Sequence, residues 1–263
     1  MPELPEVELA ARIVRRAAIG RTITSARVLH PSQRRGLPDE AAASLAGDAI
    51  VAVWRRGKHQ LLRLKSGRTL HVHFRMTGDW VVLPSRCAPL PSHARVVLRF
   101  DDRSAIALDD PRALSNVTLH EPKADPLPRL GPDATSPSFN ARWLRERCAG
   151  RRVAIKGALL DQRVVAGIGN IHASEALWLA RLDPRVVAAG LTPAQYRAVV
   201  IGVKRTMALA LARQRRYGTD ANEPESYFVY GREGEPCRRC RTPVRRILQG
   251  ARSSYFCPRC QRR

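Results

Sequence analysis

The chain has 263 residues, 44% of them hydrophobic, with a formal net charge of +23 and a pI near 11.3. That length suits one large domain or two to three small ones, and the apolar content supplies a real core. A charge of this size calls for an anionic polymer or surface as partner. No apolar run is long enough to span a bilayer and no secretory signal is visible, which predicts a cytosolic chain. The basic residues are spread along the sequence instead of flanking an apolar helix face, so a membrane-surface role is disfavoured.

Val7, Ala10, Ala11, Val14, Ala17 and Ala18 recur at helical spacing behind Pro2-Glu3-Leu4-Pro5-Glu6, and predict an N-terminal helix. Short β-type runs follow at Thr22–Val28, Ile50–Arg55, Gln60–Leu64, Thr69–Val72, Trp80–Leu83, Ala94–Phe100 and Ser104–Leu108. Turn signals separate them, a pattern that predicts a sandwich or barrel. Five prolines between Glu121 and Pro137 read as a linker. Beyond it the pattern is helical. Ser138 is positioned to cap a helix through Trp143, Leu144 and Cys148 that Gly150 closes, and Lys156–Val165 reads as a second. Asn170 is positioned to cap a third, and Thr192-Pro193-Ala194-Gln195 is a capping box opening a long helix to about Arg215. Tyr217–Glu235 reads as a loop and Thr242–Phe256 as a hairpin. The expected partition is 1–120, a linker over 121–137, a helical domain over 138–221, and a loop with a finger over 222–263.

Cys237-x2-Cys240 and Cys257-x2-Cys260 are the strongest local signal. Each pair sets two thiolates on one tight knuckle, and two knuckles complete a tetrahedron around one structural zinc ion. So short a segment lacks the core to fold alone, and zinc binding worth ~10–16 kcal/mol supplies the difference. Two disulfides or a redox pair are the competing reading, disfavoured in a cytosolic chain. The hairpin tip, Gly250-Ala251-Arg252-Ser253-Ser254, offers an arginine to a groove or a phosphate. Gly167-Ile168-Gly169-Asn170 joins two helices, where backbone N–H groups and a helix N-terminus can approach a phosphate.

The chain start carries its own chemistry. Pro2 favours removal of Met1, which leaves a secondary amine beside the Glu3 carboxylate. A secondary amine attacking an aldehyde-like carbon forms a cationic iminium, which is covalent catalysis of the Schiff-base type. Taken singly, Lys58 reads as a solvated turn lysine, Met76 as a core residue and Arg112 as a surface ion-pair residue.

Together, ordered motifs spread along the chain resemble the formamidopyrimidine-DNA glycosylase and endonuclease VIII family. They are Pro2-Glu3-Leu4-Pro5-Glu6-Val7-Glu8, Arg56-Gly57-Lys58, Arg75-Met76-Thr77-Gly78, Asp110-Pro111-Arg112 and Leu130-Gly131-Pro132. Leu160-Asp161-Gln162, Val165-Ala166-Gly167-Ile168-Gly169-Asn170-Ile171 and the terminal ribbon complete the set. The resemblance implies an α+β fold: an N-terminal helix-flanked β-sandwich, a helix–two-turns–helix domain and a C-terminal zinc-ribbon β-hairpin. It implies a monomer acting on double-stranded DNA with damaged bases or abasic sites, the lesion flipped out of a duplex lying between the two lobes.

It further implies that Pro2 attacks the sugar and that Glu3 is general acid and base there. By the same resemblance Lys58 assists base loss, Glu6 orients the terminus and lesion, and Arg252 contacts phosphate and supports the second elimination. His93, Arg112, Arg151 and Asn170 correspond to phosphate-contacting positions, and Met76 and Arg112 to residues that fill the vacated stack. Two departures are visible. Arg112-Ala113-Leu114 replaces the usual Arg-Arg-Phe, so Leu114 stands where an aromatic wedge is expected. Tyr217-Gly218-Thr219-Asp220 is all that remains of the Gly-rich stretch that covers an oxidised purine. The preferred lesion therefore stays open among 8-oxoguanine, ring-opened purines, oxidised pyrimidines and abasic sites. An endonuclease VIII-type enzyme, or a non-catalytic binder of damaged DNA on the same scaffold, are the alternatives.

Overall fold

Helix α1 (Leu4–Ala18) follows the apolar spacing of its sequence, burying Leu4, Val7, Ala10, Ala11, Val14 and Ala18. It opens the computed structural model, which describes residues 1–213 and 227–262. Two compact units make up the chain, Met1–Pro128 and Arg129–Arg263.

In the first unit, β1 (Ile23–Val28), β5 (Asp79–Leu83), β6 (Ala94–Phe100) and β7 (Ala105–Asp109) form one antiparallel sheet in the order β1-β6-β7-β5. The second sheet runs β2-β3-β4-β8, from β2 (Ile50–Arg56), β3 (His59–Leu64), β4 (Thr69–His73) and β8 (Asn116–His120). Alternation along the strands sends Leu62, Leu64, Leu70, Val72 and Val117 into the core with Val96, Leu98, Phe100, Ile106 and Leu108. Helix α1 packs on β2 and β3 of one sheet and on β5 and β7 of the other. This is the expected helix-flanked sandwich. The sequence pattern omits β8 and two short helices, α2 (Pro31–Arg34) and α3 (Asp39–Ala43), because segments of four or five residues show no usable period.

One core position is polar. Gln60 is fully buried on the inward face of β3. Its Nε2 donates to the Val7 carbonyl of α1 at 2.9 Å, and its Oε1 accepts from Trp80 Nε1 on β5 at 2.8 Å. The side chain thus joins the helix and both sheets. Glu8 adds an ion-pair layer, binding Arg15 at 2.9 Å and Arg55 of β2 at 3.1 Å.

The second unit holds α4 (Ala141–Cys148), α5 (Ile155–Leu160), α6 (Asn170–Leu179) and α7 (Pro193–Arg213), then β9 (Arg245–Gln249) and β10 (Arg252–Phe256), which pair as a hairpin. Helices α6 and α7 cross closely at Gly202, where a Cβ would stand 2.4 Å from the Ala176 carbonyl oxygen. The Thr192–Gln195 capping box forms in both directions.

Three helix boundaries differ from the sequence reading. Asn140, not Ser138, caps α4, its Oδ1 accepting from Trp143 N at 2.9 Å. Helix α5 stops at Leu160, because Asp161 leaves helical geometry and its carboxylate accepts the Arg163 N–H. Gly169 is the cap of α6, and Asn170 is its first residue. Residues 131–134 of the Pro-rich stretch are not free: Gly131 N donates to Gln162 O, and Ala134 N to Ala166 O. Tyr217-Gly218-Thr219-Asp220, and the predicted end of the long helix at Arg215, lie outside the described residues.

Replacing Gln60 by Leu removes the Oε1 that accepts the buried Trp80 indole N–H, while the Val7 carbonyl keeps its bond within α1. Gln60→Leu should therefore destabilise the fold by about 1–3 kcal/mol in denaturant unfolding. An unchanged midpoint would show that the bridge carries no stability.

Candidate functional site

The chain start is held by the first turn of α1. Glu3 is the helix N-cap and is buried, and its backbone N–H donates to Glu6 Oε2 at 2.8 Å. The Glu6 carboxylate thereby holds the peptide unit that follows Pro2. The amino group at Met1 has its pKa lowered below 8.0, chiefly by burial. Glu3 and Glu6 act to raise it, and Lys58 and Arg112 to lower it, so these four groups lie within electrostatic reach of the terminus.

Lys58 is not the solvated turn lysine that its neighbourhood suggests: it is only 6% exposed. Arg56 pairs with His59, so Gly57 and Lys58 form a two-residue hairpin turn. Gly57 has φ +58, which glycine adopts without the steric cost of a Cβ, and Arg55 donates to its carbonyl at 3.0 Å. The turn is thus tied to Arg55, and through Glu8 to α1.

Met76, Arg112 and Leu114 sit on two loops that Asp110 ties together. Asp110 is fully buried and accepts from the Thr77 hydroxyl, from Ser115 N at 2.7 Å and from Arg112 N at 3.3 Å. Its own N–H donates to the His93 carbonyl, and Arg95 donates to its backbone oxygen at 2.8 Å. Burial acts to raise the pKa of its carboxyl, but hydrogen bonds from Thr77, Ser115 and Leu114 outweigh it and hold the group below the usual carboxylate range. Met76, which taken singly suggests a core position, is 37% exposed, and Leu114 is 46% exposed beside the exposed Arg112. Arg75 and Ala113 adopt positive φ in the same loops.

In the same unit His59, His71 and His73 have pKa values pushed down to about 4, 4 and 3. Burial is the main cause, followed for His59 by Arg75 and Lys58 and for the other two by neighbouring imidazoles and Arg75. All three are neutral at pH 7.

The second unit gathers Asn170 and Arg252 around a residue that sequence reading passed over. Lys156 is 1% exposed, and its Nζ donates to Asn170 Oδ1 at 2.7 Å, Ser253 O at 2.8 Å and Ser254 Oγ at 2.7 Å. All three ammonium protons are used. Asn170 Nδ2 also donates to Ser253 O at 3.0 Å. The start of α6 and the root of β10 are therefore locked together, with Arg252 exposed at the hairpin tip. Gly250 and Ala251 at that tip have φ +54 and +59, the paired positive values of a tight hairpin turn. In the Gly167–Asn170 loop, Gly167 N donates to Gln162 Oε1, so that N–H is already engaged within the protein. Arg151 donates to Asp161 at 2.9 Å. Buried Glu175 accepts from the backbone N–H groups of Phe228, Val229 and Tyr230, fixing the approach to the ribbon; burial raises its pKa.

The sulfurs of Cys237, Cys240, Cys257 and Cys260 all lie within 4.8 Å of one another, and none is disulfide-bonded. A zinc tetrahedron with Zn–S near 2.3 Å sets its sulfurs about 3.8 Å apart, so the four thiols fit the ion. Outer contacts are in place: Trp178 Nε1 and Arg239 N each donate to Cys237 Sγ at 3.4 Å, and Cys260 N donates to Cys257 Sγ at 3.4 Å. Gln261 bridges the second knuckle to the Leu182 carbonyl. The protein holds one structural zinc here.

Comparison with known proteins covers the chain from end to end. Residues 1–117 match the formamidopyrimidine-DNA glycosylase N-terminal domain, and residues 130–220 match the H2TH domain of the same proteins. Residues 234–263 match a zinc finger found in these enzymes and in isoleucyl-tRNA synthetase. The formamidopyrimidine-DNA glycosylase of Bordetella pertussis is 40% identical over 278 residues, covering all of both chains. The chain belongs to the formamidopyrimidine-DNA glycosylase family. Within this family, a Lactococcus lactis Fpg crystallised with DNA containing an oxidised pyrimidine superposes with a TM-score of 0.91 at 28% identity, over the whole of both chains. Another complex of the Lactococcus lactis protein, with abasic-site DNA, gives 0.89 at 28% identity over 99% of this chain.

Gln60, Lys156 and Glu175 act through neighbours that are remote in sequence, so residue type alone gave no signal for them. Two outcomes follow. Metal chelation should unfold the ribbon, seen as fast amide exchange over residues 237–262; unchanged protection without metal would deny zinc a structural role. Because the folded histidines titrate below 6.5, the unfolded chain takes up protons first, so stability should fall as pH drops from 6.5 toward 4. His73→Asn should make that fall shallower in unfolding measured across this range; an identical slope would contradict the burial of a neutral ring.

Proposed function

We propose that the protein is a base-excision repair enzyme: a DNA glycosylase that excises oxidised or ring-opened bases and an abasic-site lyase that then cuts the strand. The observation that carries it is the setting of the chain start, which lies within electrostatic reach of Glu3, Glu6, Lys58 and Arg112. Full-length likeness to glycosylases of this name, and to relatives solved with damaged or abasic-site DNA, supports the same reading. The working domain partition is 1–120, 121–137, 138–221 and 222–263.

With Met1 removed, Pro2 N attacks the anomeric sugar carbon, and the glycosidic bond breaks with its electron pair leaving on the base, which takes up the proton that Pro2 N sheds. Glu3 gives a proton to the ring oxygen as the sugar opens, leaving a cationic iminium on Pro2. Loss of the C2′ proton expels the 3′ phosphate, and a second elimination expels the 5′ phosphate, the latter steadied by Arg252. Water then releases the sugar fragment and regenerates the secondary amine. Lys58 assists base departure and Glu6 holds the terminus. Met76, Arg112 and Leu114 occupy the vacated stack; Arg112, His93, Arg151 and Asn170 bind phosphate. The partner is double-stranded DNA, bound by a monomer in the cytoplasm at the nucleoid; no helix among the described residues is long and apolar enough to cross a membrane. Leu114 in place of an aromatic wedge bears on reading of the opposite base, and the short Tyr217-Gly218-Thr219-Asp220 stretch leaves oxidised pyrimidines open as substrates; a panel of single-lesion duplexes with each opposite base would rank both.

Borohydride added to protein and abasic-site DNA should trap a covalent adduct. Glu3→Gln should lower glycosylase turnover by roughly 10²–10⁴-fold. Pro2→Gly should remove most lyase activity while duplex affinity, steeply salt-dependent, stays near wild type. No adduct with normal affinity would leave a non-catalytic binder.

A further inference from the structure

Four of the chain's seven histidines, His59, His71, His73 and His120, lie on one face of one sheet. Register explains the gathering. His59 on β3 pairs with His73 on β4, His71 on β4 pairs with Thr118 on β8, and Thr69 pairs with His120. Strand alternation turns this set away from the core that Leu62, Val72 and Val117 fill.

The rings are connected. His59 Nδ1 stands 2.8 Å from His71 Nε2, and these two rings are stacked at 5.0 Å. His71 Nδ1 meets Thr118 Oγ1 at 3.3 Å, and Thr118 Oγ1 meets His120 Nε2 at 2.7 Å. The His73 ring centre is 4.7 Å from that of His59. When the Thr118 hydroxyl donates to His120, its oxygen takes the His71 Nδ1–H, and the His71 Nε2 lone pair is left facing His59. That is the arrangement of a metal-ligating histidine whose far nitrogen is fixed by an outer hydrogen bond.

We infer that this face is a second transition-metal site, with His59 Nδ1 and His71 Nε2 as the primary ligands, His73 adjoining them, and Thr118 and His120 as the outer shell. Two nitrogens on one tetrahedral ion at about 2.05 Å stand about 3.3 Å apart, so a shift of about half an ångström admits the ion. Ligation needs His59 in the tautomer that carries its proton on Nε2. Imidazole nitrogens suit zinc, nickel or copper, and offer nothing to magnesium or calcium, which take oxygen ligands.

The test uses the whole protein carrying its ribbon zinc. After equilibrium dialysis against micromolar Zn²⁺, bound metal is counted per chain. Two ions are expected for the wild type and for a His30→Asn control, and one for a His59→Asn/His71→Asn variant. Thr118→Val should keep the second ion with affinity weakened about 10–100-fold. One ion in the wild type, or two in the double variant, overturns the proposal. Because replacing buried His71 can disturb folding, a second measurement needs no variant. Cu²⁺ added to the zinc-loaded wild type should show spin-resonance couplings from at least two imidazole nitrogens, and a spectrum lacking them overturns the site.

Discussion

A carboxamide at the centre of the first unit joins elements that share no backbone hydrogen bond. Gln60 takes the indole proton of Trp80 from one sheet and gives its own to the carbonyl of Val7 in the helix, while its backbone belongs to the other sheet. Apolar contacts would let the helix slide along the sandwich at little cost. A buried amide whose partners point in set directions does not, because any displacement leaves a polar atom unpaired in a low-dielectric interior. The position of α1 along its axis follows, and with it that of the chain start. Everything proposed for Pro2 and Glu3 depends on that placement.

The same device recurs wherever functional loops are held. Asp110 uses its carboxylate to tie the segment bearing Met76 to the segment bearing Arg112 and Leu114. Lys156 spends its three protons on the first residue of α6 and the root of β10. Glu175 gathers three successive backbone N–H groups ahead of the ribbon. Each is a buried polar group with its bonds made inside the protein, and beside Asp110 and Lys156 the side chains of Met76, Arg112, Leu114 and Arg252 stay exposed. The side chains proposed to meet DNA thus remain on the surface while the groups that hold their loops lie inside.

The ribbon meets a different constraint. It has few buried apolar residues, chiefly Val244, Phe256, Cys237 and Cys257. Metal–thiolate bonds take the role of a core, and Trp178 contributes both an N–H to Cys237 and a stacking surface for Arg239 at 4.0 Å. The zinc centre is thereby joined to α6, the helix whose first residue contacts Lys156 and whose Glu175 holds the incoming loop.

The cysteine spacing, the apolar period of α1, the strand runs and the Thr192 capping box are local patterns, so sequence alone specified the zinc ligands, the first helix, most of the sandwich and the start of α7. The ordered motifs likewise pointed to the family. What tertiary structure decided was position and exposure. Lys58 is buried although its turn looks solvated, Met76 is exposed although methionine favours cores, and Asn140 outcompetes Ser138 as a cap because it sits three residues before Trp143. Gln60 and Lys156 became legible only once partners 14 to 98 residues away stood beside them. A hydrogen bond between distant residues has no period and no spacing, and only the folded chain brings its two ends together.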